Sequence, residues 1–191
     1  MADQGGYAGK ILRIDLTKRK AKTVDLDRSL ASQFLGGRGF NSKLLYEEVG
    51  PDTDPLSPEN LLMFATGPLV GTMFPTASRF NISAKSPQTG ILGDTNAGGH
   101  LASEIKFAGY DQIVLEGRSS EPIFVYVNDG EIEFRDASHL EKLDIHQTLG
   151  TLRQELSDRD VQMVCIGPAG RRLVAFACIC GGYGGNAVGR T

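Results

Sequence analysis

The run TASRFNISAKSPQTGILGDTNAGGHLASEIKFAGYDQIVLE, Thr76 to Glu116, decides how this chain is read. Arg79 to Ala84 predicts a strand, with a shorter one following at Ile91-Leu92. Asn96-Ala97-Gly98-Gly99-His100 is a glycine-rich turn that opens an amphipathic helix carrying Leu101, Ile105 and Phe107 and ending at Gly109. Gln112 to Glu116 then predicts an apolar strand. Glycines let backbone approach a ligand, a helix N-terminus presents unpaired N–H groups, and a guanidinium clamps phosphate bidentately, so the segment is chemically an anion cradle. Plain chain reversal is the competing account of such a turn. A second glycine-rich segment, ending Asn186-Ala187-Val188-Gly189-Arg190, makes the cradle testable as two loops on one phosphorylated ligand.

Working outward, Lys10 to Leu16 and Ala21 to Leu26 predict an opening hairpin. Asp27 is suited to cap a helix that Gly36-Gly37 stops. A second helix is expected from Asn41 toward Val49. Leu61 to Ala65, Ile123 to Asn128, Glu131 to Arg135, Val161 to Ile166 and Leu173 to Ile179 predict strands. Asp129-Gly130 has the composition of a type I′ turn. His146 to Leu156 places Leu149, Leu152 and Leu156 on one helical face. Strands outnumber helices and are mostly joined by hairpins, which gives an α+β domain rather than a doubly wound sheet.

At 191 residues the chain suits one domain or two small halves, and its net charge of −3 argues against nucleic-acid or anionic-membrane partners. No apolar run reaches the roughly 20 residues of a membrane span, and MADQGGYAGK lacks a basic-then-apolar leader, so a cytoplasmic protein is expected. Cys165, Cys178 and Cys180 are too few for a disulfide framework. Cys178 and Cys180 suit either a metal or redox pair or, as free cysteines more commonly do, simple packing. An iron–sulfur cluster of the usual kind wants four thiolates. His100, His139 and His146 have no metal-ligand spacing, and neither a nucleophile–base pair nor a carboxylate dyad is visible.

Several ordered motifs carry a resemblance. Leu56-Ser57-Pro58-Glu59-Asn60-Leu61-Leu62, Ala65-Thr66-Gly67-Pro68-Leu69, Lys85-Ser86-Pro87-Gln88-Thr89-Gly90, Lys106-Phe107-Ala108-Gly109-Tyr110-Asp111, Arg135-Asp136-Ala137-Ser138-His139 and Ile166-Gly167-Pro168-Ala169-Gly170 together cover nearly the whole chain. They resemble the N-terminal domain of the aldehyde:ferredoxin oxidoreductases, tungsten or molybdenum enzymes with a bis-pyranopterin cofactor. The resemblance implies an α+β fold of two β-sheets related by a pseudo-twofold, serving as a base for the cofactor. It implies an oxidoreductase converting aldehyde and water to carboxylate, with ferredoxin as electron acceptor.

By the same resemblance Arg79 contacts the pterin, Asn96, Ala97 and Gly98 form the first cofactor segment, and Asn186, Ala187, Gly189 and Arg190 form the second. The backbone carbonyls of Asn96 and Ala187 are implied ligands of a magnesium ion bridging the pterin phosphates. Lys85 is a weaker candidate beside them, and His100 adjoins the turn. Asn186 stands where many family members have arginine, and the stretch from Gly181 to Gly185 is about one residue longer than usual.

The resemblance covers only the family's first domain. The [4Fe–4S] cysteines and most of the substrate funnel belong to later domains, so the chain is expected to end inside its last glycine-rich loop and to be silent alone. It would be completed by the missing domains or, on the alternative reading, by a cysteine-bearing partner to which it serves as a scaffold subunit. An apolar, glycine-rich face is expected around Arg79, Asn96 to His100 and the segment from Tyr183 to Thr191.

Overall fold

The structure is a computed structural model that describes residues 5–181 and the backbone of 186–190. Its strands are β1 (Lys10–Asp15), β2 (Lys20–Asp25), β3 (Leu62–Thr66), β4 (Arg79–Lys85), β5 (Leu92–Gly98), β6 (Gln112–Glu116), β7 (Ile123–Asn128), β8 (Glu131–Asp136), β9 (Val164–Ile166), β10 (Cys178–Gly181) and β11 (Asn186–Arg190). The helices are α1 (Arg28–Phe34), α2 (Arg38–Glu48), α3 (His100–Phe107), α4 (Ile145–Glu155) and the short α5 (Pro168–Arg171). The α+β class holds. The described residues form a six-stranded sheet ordered β2-β1-β6-β3-β4-β5, a three-stranded sheet β11-β10-β9 and a two-stranded hairpin β7-β8.

Period-2 alternation divides the large sheet into two apolar faces. Met63, Val114 and Ile11 face α2 and pack with Leu45. Leu12, Ile14, Phe64, Phe80 and Ile82 face the other way, against Ala102 and Ile105 of α3, with residues of β7, β8 and the three-stranded sheet packed around them. β1 and β6 run parallel, and the other pairings of the large sheet are antiparallel. The central strands are therefore covered on both sides, and β5 is an edge.

Local chemistry accounts for most of the element ends. Asp27 caps α1 by accepting from Ser29 N at 2.9 Å, and Leu35 closes the helix in the left-handed region. Asp129 and Gly130 take φ of 46° and 89°, as a type I′ turn requires. α4 starts one residue earlier than its apolar periodicity indicates, because Asp144 and Gln147 form a capping box.

Three expectations are corrected. The strand at Ile91-Leu92 is instead seven residues, Leu92–Gly98, because the whole segment pairs residue by residue with β4. The strand expected from Val161 shortens to Val164–Ile166. The one expected from Leu173 begins at Cys178, since Pro168 initiates a helical turn and Leu173 adopts φ 57°. No helix among the described residues is long and apolar enough to cross a membrane.

The cysteines lie in the three-stranded sheet, Cys165 directly opposite Cys180, and all three are free and half-buried. Burial pushes the Cys165 thiol up to about 11, and Cys180 is raised for the same reason. The folded state thus holds a proton that the unfolded chain releases, so this contribution to stability is complete below about pH 9 and is lost as pH rises toward 11. In paired urea titrations at pH 8 and pH 10.5, Cys165→Ala should lose less stability between the two than the parent chain. Equal losses would show that Cys165 is not linked to folding.

Candidate functional site

The chain's cofactor candidates gather at the far edge of the large sheet. Arg79 opens β4 opposite Gly98, Phe80 pairs with Ala97, and Asn81 with Asn96. The expected glycine turn is therefore a correction: Asn96, Ala97 and Gly98 are strand residues, and the chain passes directly into α3 at Gly99. That residue is the helix N-cap, with φ 114° and no side-chain capping bond. The second segment is likewise a strand. β11 pairs with β10, Cys180 opposite Ala187 and Ile179 opposite Gly189, with an irregularity between Ile179 and Cys180.

These two strands belong to different sheets, yet β11 lies against β5. The segments carrying Asn96 and Ala187 are thus neighbours on one side of the fold, as a shared ligand requires. Tyr183 to Gly185 and Thr191 lie outside the described residues.

Alternation fixes which side chains share the edge. Arg79, Asn81 and Ser83 on β4 and Gly98, Asn96 and Asp94 on β5 occupy the α2 face. Arg79 is exposed and, among the described residues, its side chain makes no hydrogen bond or ion pair. Next to it Ser78 Oγ donates to the Gly99 carbonyl at 2.6 Å and lies 3.1 Å from Ser103 Oγ, tying the start of β4 to the start of α3. A Cβ built on Gly98 would meet nothing closer than the Ser78 carbonyl oxygen at 3.7 Å, and one on Gly99 would enter open space. Side chains there would occupy the volume directly in front of the strand end.

Lys85 is not part of this edge. Its side chain is buried and its Nζ donates to the Pro51 carbonyl at 2.5 Å, fastening the proline-rich loop instead. His100 is exposed at the first turn of α3. Neither hollow of about 300 Å³ on the surface is lined by a candidate cofactor residue.

The sequence reading missed a further part of the edge. Arg38, the first residue of α2, pairs with Asp94, whose side chain is only 15% exposed. Gly36 and Gly37 bring this helix start against the sheet, with Gly37 N donating to the Thr66 carbonyl at 2.9 Å. The signal was present: Gly36-Gly37-Arg38-Gly39 repeats the glycine–arginine composition of Gly189-Arg190, although the glycines also served as a helix stop. Asn81, fully buried, touches both Asp94 and Asn96.

Among the described residues no group of three or more His, Cys, Asp or Glu is placed to hold a metal ion. The donor set at the edge is instead a guanidinium, amides and the backbone of the neighbouring strands β5 and β11. Such groups suit phosphate oxygens and a hard, oxygen-bound cation such as magnesium.

The molecule is a mixed α+β domain with two edge strands from separate sheets set side by side. It belongs to the family described as aldehyde ferredoxin oxidoreductase, N-terminal domain, which matches residues 11–191. A tungsten-containing aldehyde ferredoxin oxidoreductase of Pyrococcus furiosus is 45% identical over 174 residues, 91% of this chain and 29% of that protein. A protein named aliphatic sulfonate oxidoreductase, WOR-like subunit, from the same organism is 33% identical over 94% of this chain and 32% of its own length. A solved structure titled active site complex BamBC of benzoyl coenzyme A reductase in complex with 1,5-dienoyl-CoA matches with TM-score 0.93 and 38% identity. That match covers 97% of this chain and 28% of the other. The chain thus spans under a third of the length of these relatives.

Proposed function

We propose that this chain is the metallopterin-binding N-terminal domain of an oxidoreductase that converts an aldehyde and water to a carboxylate and passes two electrons to ferredoxin. The observation that carries the reading is the adjacency of β5 and β11 beside an exposed Arg79 whose side chain has no partner among the described residues. The relatives named as tungsten-containing aldehyde ferredoxin oxidoreductases supply the cofactor and reaction class. When bound, a tungsten- or molybdenum-bis-pyranopterin supplies the redox chemistry.

In this reading Arg79 clamps a cofactor phosphate, and Ala97, Gly98 and Gly189 let the backbone come close to it. The backbone carbonyls of Asn96 and Ala187 would hold a magnesium ion, with Asn186 and Arg190 contributing from β11. The residues of the edge fit those demands, since the strand end is open at Gly98 and Gly99 and lined by donors.

This chain would not hold the [4Fe–4S] cluster, because it has three cysteines and burial keeps Cys165 and Cys180 in the thiol form. The cluster and the substrate-side groups would come from further domains or a partner chain, and the domain alone would be silent. An apolar lip supports such docking. Leu69, Met73 and Phe74 stand exposed on the loop leading to Arg79, and that loop touches Phe107 of α3, itself 66% exposed.

Arg79→Ala in the protein carrying this domain, expressed with tungstate or molybdate, should lower bound pterin and metal about tenfold, the cost of a lost charge-assisted contact. Elemental analysis and the fluorescence of oxidised pterin measure it, and undiminished occupancy would overturn the reading. The purified 191-residue chain should give no aldehyde-dependent viologen reduction. The match to the benzoyl coenzyme A reductase structure favours a second substrate class, an aromatic-ring thioester. Turnover of such a thioester, but of no aldehyde, by the loaded protein would select it.

A further inference from the structure

Behind the exposed edge runs a line of buried amides. Gln112 Nε2 donates to Asn41 Oδ1 at 2.8 Å, and Asn41 Nδ2 donates to Asn81 Oδ1 at 2.8 Å. Ser83 Oγ donates to the same Asn81 oxygen at 2.7 Å. Asn81 Nδ2 then faces Asp94 Oδ1 at 2.5 Å, the Thr95 carbonyl at 3.0 Å and Asn96 Oδ1 at 3.3 Å. Gln112, Asn41, Asn81 and Ser83 are each no more than 1% exposed, so none can trade these partners for water.

The direction of this line is forced. Asn41 Nδ2 also faces the backbone carbonyls of Met63 and Asn81, and Asn81 Nδ2 faces a carbonyl and a carboxylate. Those groups accept only, so each amide can take one orientation. At the exposed end the Asn96 oxygen faces the Asn81 N–H₂ at 3.3 Å, the longest of that group's three contacts, and the flipped amide would set a donor there instead. The N–H₂ of this exposed residue has no partner among the described residues.

We infer that Asn81 is a positioning residue that sets the polarity of the cofactor edge: it holds the Asn96 amide oxygen inward, so that Asn96 presents N–H donors to a ligand oxygen. The same Asn81 amide holds Asp94, which holds Arg38, so one buried side chain aims both a neutral and a cationic donor on the α2 face. The ligand group recognised there is an acceptor, a phosphate or carbonyl oxygen. The inference rests on the reading of this edge as the cofactor base.

Inorganic pyrophosphate titrated into the ¹⁵N-labelled chain, followed at the Asn96 side-chain amide, tests it. Asn81→Asp presents a carboxylate to Asp94 and turns the Asn96 amide around, so pyrophosphate binding should weaken about tenfold or more, as for a lost hydrogen bond to a charged group. The informative protein is Asn81→Asp with Asp94→Asn, compared with Asp94→Asn alone. In the double variant the amide introduced on β5 can donate to the carboxylate introduced on β4, so melting should recover toward that of the single variant. Asn96 stays reversed, so the affinity should not recover. Recovery of both would overturn the inference and leave Asn81 a packing residue. Failure of the parent chain to bind pyrophosphate, or unchanged binding by Arg79→Ala, would instead overturn the reading of the edge itself.

Discussion

Replacing Asp111 with Ala should lower the melting temperature by on the order of 10 °C, the largest loss expected from a single side chain here. The Asp111 carboxylate is fully buried, pairs with the buried Lys106 ammonium, and accepts from Ala8 N at 3.1 Å and Gly9 N at 2.7 Å. It thereby joins the end of α3, the start of β6 and the segment entering β1, while the Lys106 ammonium also sits 5.6 Å from the centre of the Tyr7 ring. Removing one member of a buried pair strands the other charge at a cost of about 3–5 kcal/mol. For a domain of this size each kcal/mol corresponds to about 2–4 °C. Lys106→Met with Asp111→Asn removes the stranded charge and keeps an acceptor for one N–H, so calorimetry should show more than half of the loss restored. A fall below about 3 °C in Asp111→Ala would show that the pair contributes little.

Asp111 also marks how far the sequence could be read. Lys106-Phe107-Ala108-Gly109-Tyr110-Asp111 was legible as a family signature, but nothing in its order shows that Lys106 and Asp111 meet, because the turn at Gly109, with φ 91°, folds one back onto the other. Elements set by local chemistry were readable: the Asp27 cap, the Asp129-Gly130 turn and the strands from Gln112 to Asn128. The nature of β5 was not, since Gly93, Asp94, Asn96, Gly98 and Gly99 have turn composition. Pairing with β4 overrides that preference along its full length.

The site follows the same division. Arg79, Asn96 and Ala187 were found by resemblance and prove to lie on neighbouring strands. Asn81 looks like any polar residue of a strand, and Arg38 like the residue after a helix stop. Their place beside the edge comes from α2 packing over β4 and β5, a contact between segments some 40 residues apart. Lys85 shows the reverse error, a cation that resembles a ligand but is consumed by the Pro51 carbonyl.

Gly36→Ala should be strongly damaging, and it should act on the edge as well as on the fold. Gly36 has φ 130°, a conformation L side chains rarely adopt, and a Cβ there would lie 2.6 Å from the Thr66 carbonyl oxygen and 3.1 Å from Gly67 Cα. Both obstacles are backbone. Thr66 is held in turn, its N–H and hydroxyl donating to the Asp111 carbonyl at 2.9 and 3.1 Å, so β3 cannot retreat without disturbing β6. The strain of the disallowed φ is about 1–3 kcal/mol and overpacking adds about 1–3 more. The expected loss is therefore a few kcal/mol, unless the turn carrying α2 lifts off the sheet. Lifting would relieve the clash but break the Gly37 N to Thr66 carbonyl bond and draw Arg38 away from Asp94. Either response has a readable signature. If the turn stays seated, urea denaturation shows the stability loss with the Arg38–Asp94 pair kept. If it lifts, the loss is smaller and the Arg38 side-chain Nε resonance moves to that of an unpaired guanidinium. A variant with unchanged stability and an unchanged Arg38 resonance would show that the approach of Gly36 to Thr66 does not seat α2.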